Sequence, residues 1–198
     1  MTRPEFVERV SLTPEDRVRN NELGRLLEDI VGAKPGHPLA PLGWVSALEQ
    51  LKRVKVIRDW QDLRPTVDNY VQRSPYHGRP DFSVELTNGS FVDIECKNLK
   101  FRLKPYVRKL GDTPYWAITA DNLKIEHRMS GLKWSAEAKR IFVVSTTRMF
   151  HESALAWCRH SLSGLVEAST NQVTEYDENI RNGIALDLYE LFEKWIYQ

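Results

Sequence analysis

The stretch RPDFSVELTNGSFVDIECK, Arg79 to Lys97, reads as one β-hairpin. Phe82, Val84 and Leu86 alternate with Asp81, Ser83 and Glu85; after Asn88-Gly89 the alternation resumes with Val92, Ile94 and Cys96 against Asp93, Glu95 and Lys97. A period of two is the mark of a strand, and Asn-Gly is the dipeptide that supplies positive φ in a tight turn between two strands. One face of the hairpin is therefore apolar and the other acidic and basic. Glu95 and Lys97 must point the same way, and the first strand can bring Asp81 beside them.

Two neighbouring carboxylates repel unless something positive lies between them, and hard oxygen ligands of this kind suit Mg²⁺, with Mn²⁺ as a substitute. Mg²⁺ keeps several waters and takes phosphate oxygens as ligands, so such a site fits a scissile phosphate. An amine two residues beyond the second carboxylate can polarise the attacking water or stabilise negative charge developing on the phosphorus oxygens. The chemistry implied is phosphodiester hydrolysis. The plainer reading is a surface hairpin whose charged face pairs Glu95 with Lys97 and does nothing more.

Pro80-Asp81, thirteen residues, then Glu95-Cys96-Lys97 resembles the signature of the PD-(D/E)XK, or restriction-endonuclease-like, nuclease superfamily. The resemblance covers about a tenth of the chain. It implies an α/β fold with a restriction-endonuclease-like core, a mixed β-sheet flanked by α-helices. It also implies Asp81, Glu95 and Lys97 as catalytic residues, with Asp81 and Glu95 binding metal. Among proteins of this size it points to a type II restriction endonuclease cutting a specific sequence in double-stranded DNA as a homodimer, one active site for each strand. A structure-specific nuclease, such as a junction resolvase or repair endonuclease, would share the chemistry. A catalytically silent DNA-binding subunit would share only the fold, and the intact Asp81, Glu95 and Lys97 argue against it. Many members carry a further glutamate on the first helix. Gly24-Arg25-Leu26-Leu27-Glu28 resembles that pattern and Glu22 borders the same stripe; each reads first as a solvated helix acid and second as a ligand.

With 198 residues, 41% of them hydrophobic, the expectation is a single domain over 1–198 with an ample core. No run of eighteen apolar residues exists and MTRPEFVERV lacks a secretory core, so the expected location is cytoplasmic, away from membranes. Cys96 and Cys158 have no metal-ligand spacing and read as core thiols. A net charge of +1 does not announce a nucleic-acid partner. Its distribution says more: Lys97, Lys100, Arg102, Lys104, Arg108 and Lys109 follow one another with no acid before Leu110. From Lys100 to Lys109, Phe101 and Tyr106 are interleaved, and the segment is the expected contact with the DNA backbone.

Thr13-Pro14-Glu15-Asp16 predicts a helix start, and Leu23, Leu26, Leu27, Ile30 and Val31 predict its stripe. A short helix is expected over Trp44 to Lys52 and a strand over Val54 to Arg58. Asp59 to Gly78 carries no clean pattern. Tyr115 to Thr119 and Ile141 to Ser145 predict buried strands that extend the hairpin into a sheet. His127, between them, reads as solvated rather than as a base. Leu155, Cys158, Leu162, Leu165 and Val166 recur at helical spacing, as do Ile180, Ile184, Leu188, Leu191, Phe192 and Trp195, so two helices are expected to close the chain.

Overall fold

The computed structural model describes residues 14–38, 40–64, 79–99, 107–110, 113–116, 132–146, 160–169 and 173–198. Its centre is a five-stranded mixed sheet built from β1 (Ile57–Asp62), β2 (Phe82–Leu86), β3 (Phe91–Leu99), β6 (Lys139–Thr146) and β7 (Gly164–Ser169), in that spatial order. The first three strands run as an antiparallel meander, whereas β3, β6 and β7 are parallel. Strand β4 (Val107–Leu110) pairs with β5 (Thr113–Trp116) in a separate two-stranded ribbon. Helices α1 (Pro14–Gly32), α2 (Ala47–Arg53) and α3 (Glu178–Ile196) flank the main sheet. The fold is thus α/β, and among the described residues no helix is long and apolar enough to cross a membrane.

The hairpin forms where the alternation requires it. Phe82 stands opposite Ile94 and Val84 opposite Val92, with Phe82, Val84, Leu86, Val92 and Ile94 fully buried. These apolar side chains share one core with Leu27, Ile30 and Val31 of α1, Leu48 and Leu51 of α2 and Ile184, Leu188 and Phe192 of α3. The turn differs in detail from the Asn-Gly expectation. Gly89 alone of the pair is left-handed, at φ 84°. The Gly89 amide donates to the Leu86 carbonyl and Leu86 to Ser90, which makes a longer loop closed by a left-handed glycine. The Asn88 side chain accepts from the Ser90 amide and donates to the Trp195 carbonyl, tying the hairpin to the end of α3.

Helix α1 is described over Pro14–Gly32, one residue past the expected end at Val31, with Thr13 outside the described residues, and Gly32 sits directly over the Phe82 ring. A Cβ there would lie 2.3 Å from Phe82 Cε1. Helix α2 begins later than Trp44: Ser46 is the N-cap and accepts from the Glu49 amide. Val54 is its C-cap, with its amide donating to the Gln50 carbonyl, so β1 begins at Ile57 instead and extends to Asp62.

Two further expectations are corrected. Leu165 and Val166 lie on β7, a parallel strand against β6, rather than on a helix. Leu155 and Cys158 lie outside the described residues, His160 and Ser161 are helical, and α3 is the last described helix. Tyr115 and Trp116 belong to the β4–β5 ribbon and do not extend the main sheet; Ala117 to Thr119 lie outside the described residues. The strand expected over Ile141 to Ser145 is β6, paired with β3 from Val92↔Lys139 to Leu99↔Thr146.

Candidate active site

Strand β3 lies in the middle of the sheet, and this position governs the chemistry of its charged residues. Glu95 is paired in register with Phe142 and Lys97 with Val144, both of which are fully buried. Neighbouring strands on both sides strip water from side chains that a surface hairpin would leave solvated. Glu95 is only 4% exposed, and Lys97 is half-buried. The reading of an ordinary surface pair therefore fails on burial, although the pair itself forms: the Lys97 ammonium contacts Glu95 Oε1 and also donates to the Cys96 carbonyl at 3.0 Å.

Asp81 lies just before β2, where continuing the Phe82↔Ile94 register by one step sets it opposite Glu95. Its Oδ2 accepts from the Cys96 amide at 2.7 Å, and the Leu63 amide donates to its backbone carbonyl at 2.9 Å. The carboxylate is thereby held against β3 between the two residues of interest. Cys96 itself turns the other way, into the core, as a buried free thiol whose pKa burial raises well above its ordinary value.

The electrostatics are those of a crowded, partly dehydrated cluster. Burial pushes the Glu95 carboxyl up to about 7; the Asp81 charge adds to the rise, while Lys97 and the Asp81 backbone amide oppose it. Burial also raises Asp81, against the pull of Lys97, the Cys96 amide and Arg64. For Lys97 burial alone would favour the neutral amine, yet Glu95, Asp81 and Glu28 together outweigh it and hold the ammonium above its ordinary pKa.

Glu28 is the residue whose sequence reading changes. It is not a solvated helix acid: burial and the Asp81 charge push its carboxyl up to about 8, with Arg64 and Lys97 opposing and Glu95 adding to the rise. Helix α1 thus brings a third carboxylate to the cluster. Glu22, six residues earlier, is exposed and stays a surface acid. Sequence reasoning also missed Arg64 and Asp29. Arg64 contacts Glu28 Oε2 at 3.5 Å and Asp29 Oδ1 at 2.8 Å, and Asp29 is 1% exposed. The available signal was Asp29's place between Leu26, Leu27, Ile30 and Val31: a carboxylate within a buried stripe needs a cation from elsewhere in the chain.

The donor set fits a hard divalent cation. Glu95 contacts the Lys97 ammonium while Asp81 and Glu28 act on it through their charge, and Glu95 Oε2 is buried with no hydrogen-bond partner. An orphaned carboxylate oxygen is costly unless something occupies its lone pairs. Among the described residues no three or more His, Cys, Asp or Glu side chains form a ready-made metal cage. Mg²⁺ seldom uses one; it takes one or two carboxylates and completes its octahedron with water and phosphate oxygens.

Of the expected DNA contacts, Arg108 and Lys109 fall on β4, and Lys100, Arg102 and Lys104 lie outside the described residues, as does His127. Compared with protein-family models, with curated proteins and with solved structures, the chain matches none.

Proposed function

We propose that this protein is a Mg²⁺-dependent DNA endonuclease of the PD-(D/E)XK kind, with a restriction-endonuclease-like core. The observation that carries the reading is the partly buried cluster of Asp81, just before β2, with Glu95 and Lys97 on β3, and an unpartnered carboxylate oxygen on Glu95. Asp81 and Glu95 would hold the cation, with Glu28 beside them. When bound, Mg²⁺ supplies Lewis-acid polarisation of the phosphate and lowers the pKa of its bound water.

The chain's own groups have separable roles. Lys97 is charged throughout the working pH range because three carboxylates outweigh its burial. It therefore serves as a stabiliser of phosphorane charge and not as a base. The Cys96 carbonyl holds the ammonium on one side, which fixes its direction before substrate arrives. Glu95 and Glu28, with carboxyls poised near neutrality, exchange protons readily until a cation claims them.

Within this class we favour a homodimeric type II restriction endonuclease acting on a specific duplex sequence. The test is incubation with supercoiled plasmid and long linear duplex in Mg²⁺ or Mn²⁺, with and without chelator. Discrete, chelator-sensitive fragments that vanish in Lys97→Ala support it, together with a dimer by analytical ultracentrifugation. Cutting confined to branched or damaged DNA would reassign the protein as a structure-specific nuclease. DNA binding without any cutting would make it a silent subunit and end the enzyme reading.

A further inference from the structure

The residues Asp62, Leu63 and Arg64, just beyond β1's core-facing part, touch the site from a side that Asp81, Glu95 and Lys97 do not define. Arg64 is locked before it reaches α1. Its Nε and Nη2 donate to Asp62 Oδ1 and Oδ2 at 2.9 and 2.7 Å, and its backbone amide donates to Asp62 Oδ1 at 3.0 Å. This two-pronged fork fixes the guanidinium plane. The same group lies 5.0 Å from the centre of the Phe82 ring. What remains is Nη1, which faces α1 and meets Asp29 Oδ1 at 2.8 Å and Glu28 Oε2 at 3.5 Å. The neighbouring Leu63 amide holds the Asp81 carbonyl at 2.9 Å. One short segment thus grips the side chain of Glu28 and the main chain of Asp81.

From this arrangement we infer that Arg64 is a positioning residue that aims the Glu28 carboxylate at the cation held by Asp81 and Glu95. The inference rests on the nuclease reading above. A glutamate on a helix has three rotatable bonds, and among the described residues Arg64 is the hydrogen-bonding partner of Glu28. Contact with one oxygen, Oε2, leaves Oε1 for the site. The charge of Arg64 is already balanced by Asp29 and Asp62, so its effect on Glu28 is chiefly directional. Lysine could not substitute, because a point charge cannot fork onto Asp62 and still reach α1 in a fixed direction.

A purely structural Arg64, present only to neutralise buried Asp29, would make a different prediction. The deciding measurement is a double-mutant cycle on Mn²⁺ affinity by isothermal titration calorimetry, in the absence of DNA. Arg64→Ala should weaken Mn²⁺ binding by roughly tenfold, within the range found when a group orienting a metal ligand is removed. Arg64→Lys should not restore it. In the Glu28→Gln background Arg64→Ala should cause no further loss, because the group it aims is gone. Equal losses in both backgrounds, or no loss in either, would overturn the inference. Should Arg64→Ala fail to fold, Asp62→Asn, which loosens the fork and keeps the guanidinium, is taken through the same cycle. It should give a smaller loss that again vanishes with Glu28→Gln, and additivity there overturns the inference equally. A wild-type chain that takes up neither Mn²⁺ nor Mg²⁺ refutes the nuclease reading itself; uptake with an additive cycle refutes Arg64's role alone.

Discussion

Raising the pH should destabilise the metal-free protein across a range in which most proteins are indifferent. Glu95 ionises near 4.5 in an unfolded chain and near 7 in the folded one, because burial and Asp81 penalise its charge. Below pH 4.5 both states hold the proton and the folded state bears no penalty. Between the two values the unfolded chain has released a proton that the folded chain keeps, so stability falls as pH rises. A shift from 4.5 to about 7 corresponds to roughly 3 kcal/mol. Glu28 acts in the same direction up to about 8, but it shares Asp81 and Lys97 with Glu95, so the two effects do not add in full. Lys97 contributes nothing in this window, since its raised pKa and its unfolded value of 10.5 both lie above it.

For a chain of this size 1 kcal/mol moves Tm by about 2–4 °C, so the fall between pH 5 and pH 8.5 should be about 6–12 °C. Thermal melts in chelator, followed by circular dichroism, measure it directly. Glu95→Gln cannot ionise and should flatten the profile. Mg²⁺, which binds the deprotonated carboxylates, should raise Tm more at pH 8 than at pH 6. A wild-type Tm that is level or rising over this range, or a Glu95→Gln profile as steep as the wild type, would refute the account of the cluster as dehydrated and crowded.

The remaining expectations concern catalysis, binding and packing. Lys97→Ala should leave metal and DNA binding nearly intact and slow single-turnover cleavage by about 10²–10³-fold, the loss of one preorganised electrostatic group; cleavage at the parental rate would remove Lys97 from the mechanism. Changing Lys100, Arg102 and Lys104 together to alanine should weaken binding to all DNA sequences alike, and should reduce the slope of log K against log salt by roughly 0.9 per lost phosphate contact. Gly32→Ala drives a methyl group into the buried Phe82 ring and should cost about 1–3 kcal/mol in urea denaturation. Lys55, left-handed at φ 61° where it closes α2, should accept glycine with a gain of up to about 1 kcal/mol by the same measurement.

The hairpin and its three charged residues were legible because their signal is local: alternation over a few residues and a glycine at the turn specify β2, β3 and their shared register. Features that depend on distant parts of the chain were not. The sequence pattern sets β1 three residues early because it is an edge strand on which Ile57 and Trp60 are buried and the residues between and after them exposed, with a bulge between Ile57 and Asp59, so its charged side chains interrupt the alternation. Strand β7 was hidden because the apolar spacing from Leu155 onward continues without a break into Leu165 and Val166. Gly164 marks where the strand begins and packs so closely against α3 that a Cβ there would approach Leu191 Cδ1 to 2.9 Å. No reading of residues 155–166 alone contains that contact.

Topology also separates a pattern from a site. An aspartate, a glutamate and a lysine at this spacing on an exposed hairpin would keep their hydration, and a solvated Glu95–Lys97 pair would be worth little. Here β6 returns parallel to β3 and encloses it, so the same three residues lose water while the backbone around Cys96 holds Asp81 and Lys97 in place. Dehydration strengthens each charge's influence on the others, which is why Asp81 raises the pKa of both Glu95 and Glu28, and Glu95 adds to the rise at Glu28. It also strengthens their attraction for a cation arriving from solvent. The spacing in the sequence nominates the residues, and the central position of β3 gives them chemical force. A variant that opens this region to water, such as Phe142→Ala beside Glu95, should therefore lower the Glu95 pKa toward 4.5 without touching any charged group.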